Sequence, residues 1–182
     1  MRIQSDFPDF KRDKMRLEEA FKHLPTWAGN AAVNFYRKSF DFRGWRGRRF
    51  ERWPKRKSGE PDRALLMKTG TLRRSIRFTV SGPNIEVFTD VKYAQAHNEG
   101  AKITQKVTAR QRRYFWAMYY KHSKRRGGSK QADAWKAMAL AQTITIKMPK
   151  RQFMDMPGKA MSWTLEQRLV AHIERMIHEA LP

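Results

Sequence analysis

The sequence predicts an α+β fold: a small antiparallel β-sheet packed with N- and C-terminal helices, with long basic loops between. Three observations predict it. Segments of helical period stand at both ends of the chain, runs of apolar–polar alternation lie between them, and stretches rich in Arg, Gly and Pro separate the two kinds. The 182 residues suit a single domain, and a hydrophobic share of 40% is enough to build a core.

Residues 1–10, with Pro8 and two Asp, read as an N-terminal arm. Lys11 to His23 has helical spacing, with Met15, Leu17, Ala20, Phe21 and Leu24 near one stripe. Pro25 interrupts or restarts the helix, since Pro is tolerated in a first turn. Thr26 to Phe40 reads as a second helix with Trp27, Ala28, Ala31, Ala32 and Phe35 inward. FRGWRGRRFERWPKRKSGEPDR (42–63) reads as a long, basic, mostly irregular loop, a type that is usually functional or mobile. Its Trp45 and Trp53 are expected to pin the loop to the body or fill a subunit interface, in preference to stacking on bases.

LRRSIRFTV (72–80) alternates, with Leu72, Ile76, Phe78 and Val80 on one side, and reads as a half-buried strand. SGPN (81–84) is a turn and NIEVFTDVKY alternates again, so a β-hairpin is expected. AKITQKV (101–107) is a further strand. Thr108 and Gln111 form a capping box for a helix through RQRRYFWAMYYKH. SKRRGGSK (123–130) breaks it, ADAWKAMALA (132–141) is helical, and TITIKMP (143–149) is a strand ended by Pro149. Residues 106–142 therefore read as a basic helical insertion. SWTLEQRLVAHIERMIHEAL is the cleanest amphipathic helix, with Thr164 and Gln167 as a second capping box. Trp27, Phe35, Phe78, Phe115, Trp116 and Trp163 sit in periodic segments and are expected in the core.

The net charge is +22, a field that attracts polyanions: DNA, RNA or an anionic membrane surface. The absence of Cys excludes disulfides, thiolate metal sites and Cys nucleophiles. No stretch approaches a transmembrane helix, and no apolar signal segment stands at the N-terminus. The expectation is a soluble protein kept in a cytoplasm or in a particle assembled there.

YAQAHNEG (93–100) places His97 two residues from Glu99, a pair that can serve as a base or as metal ligands. The H-x-E deaminase signature needs a downstream P-C-x-x-C, which a Cys-free chain lacks. H-E-x-x-H is absent, and the other histidines stand at no motif spacing. Lys68-Thr69-Gly70 matches K-T-G without its S-x-x-K partner. Carboxylates are scattered, against the clusters a metal nuclease uses. The octet is thus read as a turn, with Asn98 and Gly100 giving permissive backbone, Tyr93 inward, and His97 a local hydrogen-bonding residue at a subunit contact. No enzyme, metal or cofactor is expected; a hydrolase built on His97 and Glu99 is the least supported class.

The strongest functional signal is basic. Arg43, Arg46, Arg48, Arg49, Arg52, Lys55, Arg56 and Lys57 stand against Glu51 alone. A second run holds Lys106, Arg110, Arg112, Arg113, Lys121, Lys124, Arg125, Arg126 and Lys130 with no acid. Such runs imply salt-sensitive, sequence-independent phosphate contact, and no sequence-reading motif accompanies them.

At residues 65–100 the chain resembles the core of the phage virion morphogenesis (tail-completion) family. That family's pattern is a leucine, T-G-x-L-x-x-S-I, a hairpin, then Y-A-x-x-H-x-x-G. The matching residues here are Leu66, Thr69, Gly70, Leu72, Ser75, Ile76, Tyr93, Ala94, His97, Glu99 and Gly100. MPKRQFM (148–154) resembles the family's I-P-x-R-P-F segment through Pro149, Arg151 and Phe153, with Gln152 where a Pro is common. The resemblance implies a structural α+β subunit that forms a ring, commonly hexameric, at the head–tail neck or tail end of a tailed phage. It also implies neck, portal-side and tail proteins as partners, and a place in a virion assembled in the host cytoplasm. On that reading the two basic runs face genomic DNA in the channel, or grip acidic surfaces of neighbouring rings. The alternative is a monomeric, nonspecific nucleic-acid-binding protein.

Overall fold

A computed structural model describes residues 10–56, 64–123 and 130–181. The elements run α1 (Phe10–Lys22), α2 (Leu24–Phe42), β1 (Gly44–Arg46), β2 (Phe50–Arg52), α3 (Thr71–Arg74), β3 (Arg77–Ser81), β4 (Asn84–Phe88), α4 (Ala94–Glu99), β5 (Ala101–Lys106), α5 (Ala109–Ser123), α6 (Lys130–Leu140), β6 (Thr143–Met148) and α7 (Trp163–Ala180). The fold is α+β and its pairings are antiparallel. The strands among the described residues form three separate two-stranded ribbons, β1–β2, β3–β4 and β5–β6, where the sequence predicts one small sheet.

The chain divides into two compact units. The first comprises Met1–Glu99 and Lys150–Pro182, and the second Gly100–Pro149. The first is organised around α2, which Pro25 starts. Its inward face is Ala28, Gly29, Ala32, Val33, Phe35, Tyr36, Ser39 and Phe40, the spacing of a helix buried along one side. Trp45, Trp53, Leu65, Leu72, Ile76, Ala94, Phe153 and Leu165 close over it from the loops, the ribbons and α7. Gly29 lets β3 lie against α2: a Cβ there would sit 2.2 Å from the Phe78 ring. Gly29→Ala, despite its better helix propensity, is therefore expected to destabilise by about 1–3 kcal/mol, read in a denaturant titration.

Several expectations give way to packing. Within the stretch 42–63, where described, a short hairpin stands among otherwise irregular residues: β1 and β2 pair with Gly44 opposite Arg52. Trp45 and Trp53 do pin it, both being buried. Leu72 does not begin a strand. Gly70, at φ 69, opens the helical turn α3, which buries Leu72, and the strand starts only at Arg77. A single turn places residues 72 and 76 on one face as well as alternation does, so period alone could not separate the two. Val80 is exposed because the far end of the β3–β4 ribbon lies beyond the core. The predicted turn is a two-residue one, with Gly82 supplying φ 58.

At α7 the N-cap is Ser162, and Thr164 lies inside the first turn. The Thr164–Gln167 box does not form because the Thr164 hydroxyl donates to the Gly47 carbonyl at 2.6 Å. Trp163, expected in the core, is 52% exposed because it faces away from the Leu165 side of the helix. Trp27 is half-buried and stacks on His172 at 3.5 Å. The stripe of α1 contains no buried residue, so its helical spacing is real but its apolar face is largely open.

In the second unit, α5 and α6 pack together and β5 pairs β6 from Ala101↔Met148 to Lys106↔Thr143. The Thr108–Gln111 capping box forms reciprocally: the Thr108 N–H donates to Gln111 Oε1 at 2.9 Å, and the Gln111 N–H to Thr108 Oγ1 at 3.2 Å. Phe115 is buried beside Trp135, as expected of a core position, and Trp116 is half-buried.

Candidate functional site

The two segments that carry the sequence resemblance meet in the first unit. The octet forms the helical turn α4, whose spacing turns Ala94 and Asn98 inward. Tyr93 is thereby directed outward at 47% exposure, against the expectation that it packs inward, and its ring lies edge-on to His97. Asn98 does the holding. Its Oδ1 accepts the main-chain N–H groups of Phe153 at 2.9 Å and Met154 at 3.0 Å, and its Nδ2 donates to the Met154 carbonyl at 3.2 Å. One residue earlier, the His97 carbonyl accepts the Arg151 N–H at 2.8 Å.

The other side of the 151–154 segment is gripped by the basic loop. Arg151 is buried, and its guanidinium donates through Nε and Nη2 to the Pro54 carbonyl at 3.1 and 3.0 Å. Trp53 Nε1 donates to the Gln152 carbonyl at 2.7 Å. Burial, then the nearby Arg56, holds the Arg151 pKa below its usual value. Phe153 is fully buried, with its ring 5.2 Å from that of Phe40. Gly100 follows α4 at φ 78, where glycine is favoured, and Pro149 is exposed at the end of β6.

The T-G-x-L-x-x-S-I segment is also structural. Arg74 donates to the Thr69 carbonyl at 2.9 Å, Leu72 and Ile76 are buried, and the Ser75 hydroxyl bonds the Leu72 carbonyl at 2.9 Å and Thr89 Oγ1 at 2.6 Å. Two carriers of this architecture give no clear signal in the sequence, where Asn98 reads as a turn former and Asp155 as one scattered acid among several. Asp155 Oδ2 accepts the Tyr36 hydroxyl at 2.8 Å and the Ser162 N–H at 3.0 Å, and burial together with Asp155 raises the Tyr36 pKa. The only cue for Asn98 is its spacing of four from Ala94 within one helical turn, and that does not name the partner segment.

His97 and Glu99 do not form a unit. His97 is half-buried and Glu99 exposed, and among the described residues no group of three or more His, Cys, Asp or Glu could hold a metal ion. Among the described residues His97 Nδ1 is buried without a hydrogen-bond partner, against the expectation that this side chain bonds locally. Burial, then Arg151, lowers its pKa below the ordinary 6.5. A depressed value means the fold favours the neutral ring, so this contribution is present above pH 6.5 and is lost as pH falls through the lower folded value. Melting midpoints measured between about pH 7.5 and 5.5 should therefore fall, and fall less in His97→Gln. An unchanged slope in the variant would assign the loss to other groups.

The bases of the first run play different parts. Arg46 lies between two rings, its guanidinium carbon 4.9 Å from the Phe35 centroid and 4.7 Å from that of Phe42. Burial, then Arg168, lowers its pKa. Arg56 donates to the Ala64 carbonyl at 3.1 Å. Arg43, Arg48, Arg49, Arg52 and Lys55 are exposed, and Arg43 ends α2 in the left-handed region at φ 52. Lys57 lies outside the described residues. In the second unit Arg110, Arg112 and Arg113 are exposed along α5, with Arg112 donating to the Ala141 carbonyl at 3.3 Å. Lys124, Arg125 and Arg126 again lie outside the described residues, as do most of the arm at 1–10 and part of the loop at 42–63.

No helix among the described residues is long and apolar enough to cross a membrane. A family model described as the phage virion morphogenesis family matches residues 37–174, which include the exposed hairpin, the octet and its partner segment. No curated protein and no solved structure matches the chain.

Proposed function

The chain belongs to the phage virion morphogenesis family, and from that premise we propose that it is a structural, non-enzymatic virion subunit. Copies assemble into a ring, a hexamer in the simplest case, at the head–tail junction or tail end. The ring joins or seals the tail to the DNA-filled head. Its partners are further copies of itself and the neck, portal-side and tail proteins on either side.

The family match over 37–174 is the observation that carries this reading. The distribution of charge supports it. Arg110, Arg112 and Arg113 are exposed along one helix of the second unit, in a chain of net charge +22. Bases so displayed give a passing duplex a sequence-independent, electropositive lining. The polar bonds at Asn98 and Arg151 are made to main-chain groups of the same unit, which is how a signature segment builds a subunit.

Native mass spectrometry with electron microscopy of the full chain tests the proposal. Discrete rings are expected, together with labelled density at the head–tail junction of assembled particles. A chain that stays monomeric and binds duplex DNA tightly at moderate salt would overturn it in favour of a nonspecific nucleic-acid-binding protein.

A further inference from the structure

The first unit contains an open cavity of about 700 Å³ between α2, β4, α4 and the N-terminal half of α7. Its apolar surface comes from residues such as Ala28, Ala32, Val87, Met154, Met161 and Leu169. The charge around it is the reverse of the molecule's. Among the described residues, Glu86, Asp90, Glu99 and Asp155 line it with Lys92 and no arginine, although the chain carries 39 Lys and Arg against 17 Asp and Glu. Asp90 is paired with Arg77, and Asp155 is bonded to Tyr36 and Ser162. Glu86 and Glu99 are exposed. Such a groove repels nucleic acid. It suits a basic knob with an apolar centre.

The same unit carries one. At the end of the β1–β2 hairpin, Phe50 is 56% exposed and is flanked by Arg48, Arg49 and Arg52, all exposed. Its ring lies against Gly44, where a Cβ would approach to 2.4 Å, so the knob is held in place before any partner arrives. An aromatic side chain among arginines is the composition of an interface anchor.

We propose that the β1–β2 hairpin of one copy docks in this groove of a second copy, Phe50 entering the methionine-lined floor and Arg48 and Arg49 meeting Glu86 and Glu99. Tip and groove are different surfaces, so the contact is heterologous, and heterologous contacts that close generate rings. The inference rests on the ring reading above and assigns the surfaces that join its subunits. It also gives the first basic run a role distinct from lining a channel.

The chain has no cysteine, which permits a direct test. Arg52→Cys and Gln95→Cys chains, which keep Phe50 and the methionines, are mixed and oxidised; both positions are exposed, one beside the knob and one on the groove. The mixed disulfide is expected in large excess over the like-with-like dimers; proportions of random collision would overturn the proposal. In parallel, Arg48→Glu with Arg49→Glu, and separately Glu86→Arg with Glu99→Arg, should each weaken self-association by ~10-fold or more in sedimentation velocity, with recovery when all four are combined. These side chains are exposed, so unchanged circular-dichroism melts are the control for folding. Rings that form undiminished in both charge variants sink this contact and leave the ring reading standing. A wild-type chain that never self-associates sinks both.

Discussion

Asn98→Ala should lower stability by about 2–4 kcal/mol, because it leaves the Phe153 and Met154 N–H groups without their acceptor at a site closed to water. For a chain of this length that corresponds to a fall of roughly 5–15 °C in melting midpoint. Asn98→Asp separates the contributions. It keeps the acceptor for both N–H groups and loses only the Nδ2 donation to the Met154 carbonyl, at the cost of bringing a carboxylate into a buried position. Its penalty should rise as pH is raised, since the protonated acid can still donate and the carboxylate cannot. An Asn98→Ala chain that melts with the wild type would show that the 151–154 segment is held by other means.

Phe153→Ala removes a fully buried ring packed on Phe40 and is expected to destabilise by about 3–5 kcal/mol in equilibrium denaturation. A cost under about 1.5 kcal/mol would mean that the core around Phe40 collapses into the space. The double variant with Asn98→Ala should cost less than the sum of the two, because both changes loosen one segment and the second acts on a segment already freed. Near-additivity would show that side-chain packing and main-chain bonding hold residues 151–154 independently.

Helices and strands of long, plain period were legible. The spans of α2, β5, α5, α6, β6 and α7 follow from apolar spacing, from Pro25 and from the Thr108–Gln111 box, and the structure places each within a few residues of its expected bounds. Short segments were not, because a single turn and a strand satisfy the same pattern over five residues. Leu72 and Ile76 are buried either way, and only the left-handed Gly70 decides for the turn. Trp163 departs from expectation for a related reason: being aromatic within a helix says nothing of which face it occupies. At the candidate site the sequence marks the right segments and the wrong atoms. His97 and Glu99 draw notice as titratable groups, whereas the neutral amide of Asn98 makes the decisive bonds to residues 55 and 56 positions away. An amide's partners are main-chain groups, and main-chain groups leave no trace in residue identity. Basic residues look like one class in a sequence, yet Arg46 and Arg151 commit their guanidiniums inside the fold to rings and carbonyls.

The bonds that join α4 to residues 151–154 have a consequence for the whole stretch Gly100–Pro149 between them. The polypeptide leaves the first unit at Glu99 and re-enters it at Lys150, and the departing and returning lengths of chain are clasped together by the His97 carbonyl and the Asn98 amide. Fastening the two ends removes most of the closure cost from this detour, since each doubling of a flexible closed loop would add only about 0.6 kcal/mol. Gly100–Pro149 is in that sense a self-contained detour: the bonds that clasp its two ends are made entirely by residues of the host unit.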